Sequence, residues 1–287
     1  MFYLRLLQAL WMIPQSIWGY FANRKKEADQ IKVDAESEEL RKNPYKNRNI
    51  PIENVIGAFK RGFYEAALGA TEKLKIKGKP TDDYCFYRGE MLMHLGKLKE
   101  AEPLFRQCLE LEPDKNTAMQ AHTSLGNLML ATGRCDEALE QYQFSLQLEP
   151  NRNSAQRAMA EAYLVKGDTE QALLLARTAA GNQGFASGYE NRFLGERLAT
   201  LAWALAANGA PVEEVDELVK RAVETVGLDV VSSTAQVHTQ AGAAYSAIGE
   251  KERSAYHLGK AAVVDSNGLW GRRAKAMMGA KAGPPNI

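Results

Sequence analysis

The apolar and polar positions between His122 and Pro150, HTSLGNLMLATGRCDEALEQYQFSLQLEP, fall into two helical patterns separated by Gly133. LGNLMLAT runs up to the glycine and DEALEQYQFSLQL follows it. Glycine supplies the positive φ that ends the first helix, and Pro150 stops the second. Gly126, Ala138 and Ser145 are small where the two helices cross, while Met129 and Tyr142 fill the adjoining space. The unit is a helical hairpin.

The same spacing, slid along the chain, finds turn glycines at Gly62, Gly96, Gly133, Gly167, Gly209 and Gly249. Around Gly96 it selects Gly89, Leu92, Ala101, Phe105, Cys108 and Pro113, and around Gly167 it selects Ala160, Tyr163, Ala172, Ala176 and Ala179. Around Gly249 it gives Gly242, Tyr245, Ser254, Leu258 and Ala261, and around Gly62 it gives Val55, Ala58, Ala67, Thr71 and Leu74. Gly209 follows Ala202 and Leu205 in step but needs one extra residue to bring Val215, Val219 and Ala222 into place. Six hairpins are therefore expected, stacked as an all-α solenoid over residues 50–266.

A hairpin of about 34 residues with small residues at the crossing and proline at its end resembles the tetratricopeptide repeat family. CFYRGEMLMHLGKLKEAEPLFRQCLELEP carries the pattern as closely as the stretch from His122 does. The resemblance implies a right-handed superhelix whose first helices line a concave groove that binds proteins or peptides. Carried onto this chain, it aims Ile56, Glu90, Asn127, Glu161, Trp203 and Ala243 inward, and one turn earlier Ile52, Phe86, Thr123, Arg157, Ala199 and Thr239. Phe86 and Trp203 are the candidate apolar anchors, Asn127 and Arg157 could hold peptide carbonyls or an acidic group, and Glu90 and Glu161 complete the candidate wall. Members of the family that clamp acidic chaperone tails use basic and amide side chains where Phe86 and Glu90 stand here, and Glu90 would repel such a tail.

Residues 1–22, MFYLRLLQALWMIPQSIWGYFA, are the most apolar and aromatic segment. As a helix at 1.5 Å per residue they would reach about 33 Å, enough to cross a hydrocarbon core of about 30 Å. Arg5, Gln8, Gln15, Ser16, Gly19 and Asn23 share one narrow helical face, however, and Pro14 interrupts it. Trp18, Tyr20 and Phe21 crowd the place where a signal peptide would be cut, so the segment is expected to remain attached. Three placements follow: a membrane-spanning anchor, which is favoured, an in-plane amphipathic helix, and an apolar helix docked on protein. If the segment spans, Arg24, Lys25 and Lys26 with the later basic residues leave the repeats in the cytoplasm.

Residues 23–49 form a spacer rich in both charges, and GNQGFASGYEN after Ala180 lengthens one connection between hairpins. Residues 267–287, with Trp270, Arg272, Arg273 and Lys275, read as a basic helix capping the last repeat and a short tail; a membrane-surface contact is the second reading.

Composition alters this picture little. A net charge of +1 argues against a nucleic-acid partner held by phosphate neutralisation. Cys85, Cys108 and Cys135 sit at packing places, form no C-x-x-C pair, and read as thiols in a reducing compartment. His94, His122, His238 and His257 are scattered without metal-ligand spacing, no phosphate-binding glycine loop or nucleophile elbow occurs, and no carboxylate stands in an apolar setting that would raise its pKa. No metal, cofactor or catalytic site is expected. The layout also looks like that of bacterial inner-membrane repeat proteins of the lipopolysaccharide assembly protein B family, whose aromatic-rich anchor is likewise followed by basic residues; that family's C-terminal metal-binding cysteine pairs have no counterpart here. The reading that follows is a membrane-tethered, non-enzymatic scaffold for protein partners, and the alternative is a soluble repeat module whose N-terminal helix docks on a partner.

Overall fold

A computed structural model describes residues 52–74, 80–181, 193–226 and 230–279. Segments 1–22 and 23–49, the insertion at 182–192, the last eight residues and the side chain of Ile52 lie outside the described residues.

Every described element is a helix. Six antiparallel hairpins follow one another: α1 (Ile52–Lys60) with α2 (Tyr64–Thr71), α3 (Asp82–His94) with α4 (Leu98–Glu110), α5 (Lys115–Ala131) with α6 (Cys135–Leu148), α7 (Asn153–Lys166) with α8 (Thr169–Gly181), α9 (Leu194–Ala207) with α10 (Val212–Thr225), and α11 (Val231–Ala247) with α12 (Lys251–Val264). A thirteenth helix, α13 (Leu269–Gly279), follows the last hairpin.

The turns are built alike. All six expected glycines adopt positive φ, between 75° and 83°. In each turn the residue after the glycine donates its N–H to the carbonyl five residues back: Phe63 to Ala58, Lys97 to Leu92, Arg134 to Met129, Asp168 to Tyr163, Ala210 to Leu205 and Glu250 to Tyr245, at 2.9–3.0 Å. This is the Schellman closure, which satisfies carbonyls that a helix end would otherwise leave bare. At the opposite ends, the Thr81 hydroxyl accepts from the Tyr84 N–H at 3.1 Å, and the Asp114 carboxylate accepts from Asn116 and Thr117 at 2.8 and 3.3 Å.

The small residues do what their spacing implies. A Cβ placed on Gly89 would lie 2.8 Å from the Phe105 ring, one on Gly126 2.5 Å from the Tyr142 ring, and one on Gly242 2.6 Å from Leu258, so in three hairpins a large side chain of the second helix fills the space that glycine leaves. In the fourth hairpin two alanines, Ala160 and Ala176, share one buried cluster instead. The second-helix positions picked out by spacing are buried throughout, except that Leu74 is only partly so. Each first helix packs on the next hairpin's first helix from α3 to α11, and each second helix on the hairpin that follows.

One departure from a simple stack positions the candidate site. The Tyr64 hydroxyl at the start of α2 donates to Asp265 Oδ1 just before α13, at 3.0 Å across 201 residues. A Cβ on Gly62 would meet Val231 at 3.2 Å, and Arg272 of α13 donates to the His94 carbonyl at the end of α3, at 2.7 Å. The first two hairpins thus touch the last one and its capping helix, and the hollow face expected to lie open is narrowed to a half-open cavity.

Candidate binding cavity

The cavity measures about 1010 Å³ and every first helix contributes to its wall. Residues on α3 lie toward the helix end, with Phe86, Glu90 and His94, and on α5 they run its whole length. On α9 and α11 they lie at the helix start, with Glu196, Arg197, Ser233 and Gln236. The lining position therefore drifts one to two turns toward the helix start along the stack. Five of the six residues singled out in the sequence, Phe86, Glu90, Asn127, Arg157 and Glu161, share this wall. Trp203 does not; at its point in the drift it packs among the buried clusters that join α7, α9 and α11.

The five are not equally available. Phe86 is buried, its ring 5.1 Å from that of Tyr87 and 6.3 Å from that of Phe105, so it belongs to the core as much as to the wall. Asn127 Oδ1 accepts the Tyr142 hydroxyl at 2.9 Å. Arg157 lies one helical turn before Glu161 and pairs with it at 3.4 Å. Glu161, 3% exposed, also accepts from Gln240 Nε2 at 3.1 Å and from Arg273 of α13. Two guanidinium groups and an amide converging on one buried carboxylate form a charge-assisted network whose cost of burial is met from three sides.

Glu90 is the exception to the expectation that no carboxylate sits in an apolar setting. Burial pushes its carboxyl up to about 7, opposed in part by a hydrogen bond from Ser124, and Oε1 has no hydrogen-bond partner. Asp265, too, is raised by burial, although Tyr64 and the backbone N–H groups of Gly271 and Trp270 oppose the shift by hydrogen bonding to it. Neither environment is local in sequence: Ser124 of α5 reaches Glu90, and Tyr64 of α2 reaches Asp265. His94 moves the other way, its imidazole held down to about 3 by burial and by the nearby Arg272 cation. At neutral pH it is an uncharged ring stacked 4.9 Å from Tyr64 and set edge-on 4.8 Å from Phe59.

Sequence reasoning missed Glu196 and Gln236. Both are more than nine-tenths buried, both line the cavity, and Glu196 Oε2 and Gln236 Nε2 have no hydrogen-bond partner. A signal existed: Gln120, Ser154, Glu196 and Gln236 recur thirteen residues before their turn glycines, a polar row on the inward face one turn beyond Arg157. Cys85 and Cys108 are buried, their thiols pushed up to about 11 and 12 chiefly by burial, so they behave as packing groups. Among the described residues no group of histidine, cysteine and carboxylate side chains could hold a metal ion, and no helix is long and apolar enough to cross a membrane.

Two tetratricopeptide repeat models match the chain, one over residues 84–150 and the other over 123–187. No curated protein matches it. Among solved structures, a thermophilic TPR protein of Thermus thermophilus is 20% identical, with 69% of this chain and 100% of that one covered at a TM-score of 0.50. The TPR-like repeats of a putative kinesin light chain from Podosopora anserina are also 20% identical, with 63% of this chain and 93% of that one covered at a TM-score of 0.44. Residues 84–187 are therefore similar to tetratricopeptide repeats, and the described hairpins within them share the same glycine turn.

Proposed function

We propose that this chain is a non-catalytic scaffold that holds a protein or peptide partner on the inner face of its repeats. The observation that supports it most is the convergence of Glu90, Asn127, Arg157 and Glu161, from three successive first helices, on one cavity of peptide-sized volume. In this reading Arg157 and Glu161 supply charged contacts, Glu90 and Asn127 supply polar ones, Phe86 gives the apolar floor, and Trp203 serves packing between hairpins. Mixed polarity with few anchors suits a short extended or helical segment. The test is crosslinked capture from a lysate with the intact chain and with Arg157→Glu, helix content being checked for both. If the two capture the same proteins, the inner face is not the binding surface.

Residues 1–22 act in this proposal as a membrane tether that leaves the repeats on the cytoplasmic side. Their length, aromatic content and basic flank support it, as does the similar layout of the lipopolysaccharide assembly protein B family. The polar stripe of Arg5, Gln8, Gln15, Ser16 and Asn23 favours the second reading, a soluble module whose first helix docks on a partner. Fractionation separates them: a tethered chain pellets with membranes and needs detergent, whereas a version starting at Ile50 stays in the supernatant. Release of the full chain by salt alone would favour the soluble module.

A further inference from the structure

We propose that α13 is a built-in competitor for the inner face, holding the place of a basic, tryptophan-bearing helix of the partner, which must displace it to bind. The inference rests on the reading that the inner face is the binding surface and adds what the partner looks like.

The contacts of α13 are those of a ligand as much as of a cap. Trp270 and Ala274 pack on Ala235, Leu258 and Ala261 of the last hairpin, as a capping helix should. The other contacts reach across the cavity. Leu269 packs against the core of hairpins two and three, Arg272 caps the end of α3 through the His94 carbonyl, and Arg273 reaches Glu161 on α7 while lying over the Trp270 ring at 5.1 Å. The helix sequence, LWGRRAKAMMG, contains three basic residues and no acidic one. Its cationic side chains are met by a buried carboxylate and by the carbonyl end of a helix, both of which favour positive charge.

The seat is also incompletely satisfied. Buried polar atoms without a hydrogen-bond partner gather around it: Glu90 Oε1, Glu196 Oε2 and Gln236 Nε2 in the cavity wall, Gln240 Oε1 beside the Glu161 network, and Asp265 Oδ2 and Arg273 Nε at α13 itself. None of these atoms has a protein partner, so each is a place where a donor or acceptor of an incoming segment would add a hydrogen bond. A longer basic helix, offering further cations to Glu90 and Glu196, would meet these groups better than α13 does, which gives an incoming segment an advantage over the resident one.

The probe is a fluorescently labelled peptide with the sequence of residues 269–279, titrated into the full chain and followed by anisotropy. In the double variant Trp270→Ala with Arg272→Ala the resident helix is loosened while Glu161 is untouched, and the peptide should bind at least about 10-fold tighter than to wild type, because the fraction of open inner face rises. Adding Glu161→Gln should remove most of that gain. A measurement free of substitutions accompanies this: saturating peptide should speed amide exchange within 269–279 of the wild-type chain while α5 and α7 stay protected. Equal affinity for wild type and double variant, or unchanged α13 exchange at saturation, overturns the proposal. If that happens while Arg157→Glu still loses its lysate partners, only the competitor fails; if Arg157→Glu also loses none, the binding face itself was misassigned.

Discussion

Replacing Gly126 by alanine puts the close helix crossing to a quantitative test. The added methyl would sit 2.5 Å from Tyr142 Cε1, 2.8 Å from Cδ1 and 3.0 Å from Cζ. Carbon atoms prefer about 3.5–4.0 Å, so the ring or the helix must retreat by about 1 Å. Tyr142 is fully buried and its hydroxyl is tied to Asn127, which leaves it nowhere easy to go. Overpacking of this kind costs about 1–3 kcal/mol, and the shortness of the contact places it near the upper end. Alanine in a helix returns about 0.5–1 kcal/mol relative to glycine. The net expectation is a loss of about 2 kcal/mol, or about 4–8 °C in Tm for a domain of this size. In a Tyr142→Ala background the obstacle is gone and the crossing resembles the buried Ala160 and Ala176 of hairpin four, so Gly126→Ala should there stabilise by about 0.5–1 kcal/mol. Urea unfolding followed by helix circular dichroism on the four proteins of the cycle gives a coupling of about 2–3 kcal/mol. A Gly126→Ala effect that is the same with and without the Tyr142 ring would refute the crossing geometry.

Glu90→Gln should alter the pH dependence of stability. The folded carboxyl is raised to about 7 by burial, so its neutral form is favoured by folding, and that contribution is complete below about pH 4.5 and lost as pH rises through 7. The unfolding free energy of Glu90→Gln minus that of wild type should be near zero at pH 4.5 and positive at pH 8, bounded above by about 3 kcal/mol; a difference independent of pH would contradict the burial. The lowered His94 has the opposite sign, costing stability as pH falls below 6.5, and it cancels in this comparison because both proteins carry it. Glu112, an exposed residue at φ 50°, adopts the left-handed region that glycine favours, so Glu112→Gly should raise stability by about 0.5–1 kcal/mol in thermal melts. Tyr64→Phe removes the donor to buried Asp265 and should cost about 1–3 kcal/mol in urea titration; a loss below about 0.3 kcal/mol would show that the bond adds nothing.

The hairpins were legible because their causes are local. A positive-φ glycine, a small residue seven positions before it and a buried trio after it are all set within one hairpin, and the extra residue after Gly209 needed only a shift of register. The cavity was legible by half. Phe86 and Glu90 follow from position in a repeat, but a constant position misplaces Trp203 and overlooks Glu196, because the rotation from one hairpin to the next moves the inward face along the helix. A helix over the last repeat was the first reading of residues 267–287, but its reach to α3 and α7 was not legible. A membrane-surface contact of the basic cluster in 272–275 was the second reading, and the structure turns Arg272 and Arg273 inward onto the His94 carbonyl and Glu161. The raised pKa values of Glu90 and Asp265 depend on groups up to two hundred residues apart, beyond the reach of any spacing rule.

The hydrogen bond between Tyr64 and Asp265, with Gly62 against Val231, changes how such a stack comes apart. In an open array the outermost layers have one neighbour each, melt first, and let unravelling proceed inward like a zip. Among the described residues the first and last hairpins are also joined to one another at this clasp. Peeling must first break the clasp, and once it is broken both outer layers are exposed together. The six described hairpins should therefore lose their order in a single step, with one transition seen alike by Trp203, by the far-ultraviolet signal and by amide exchange in α1 and α12.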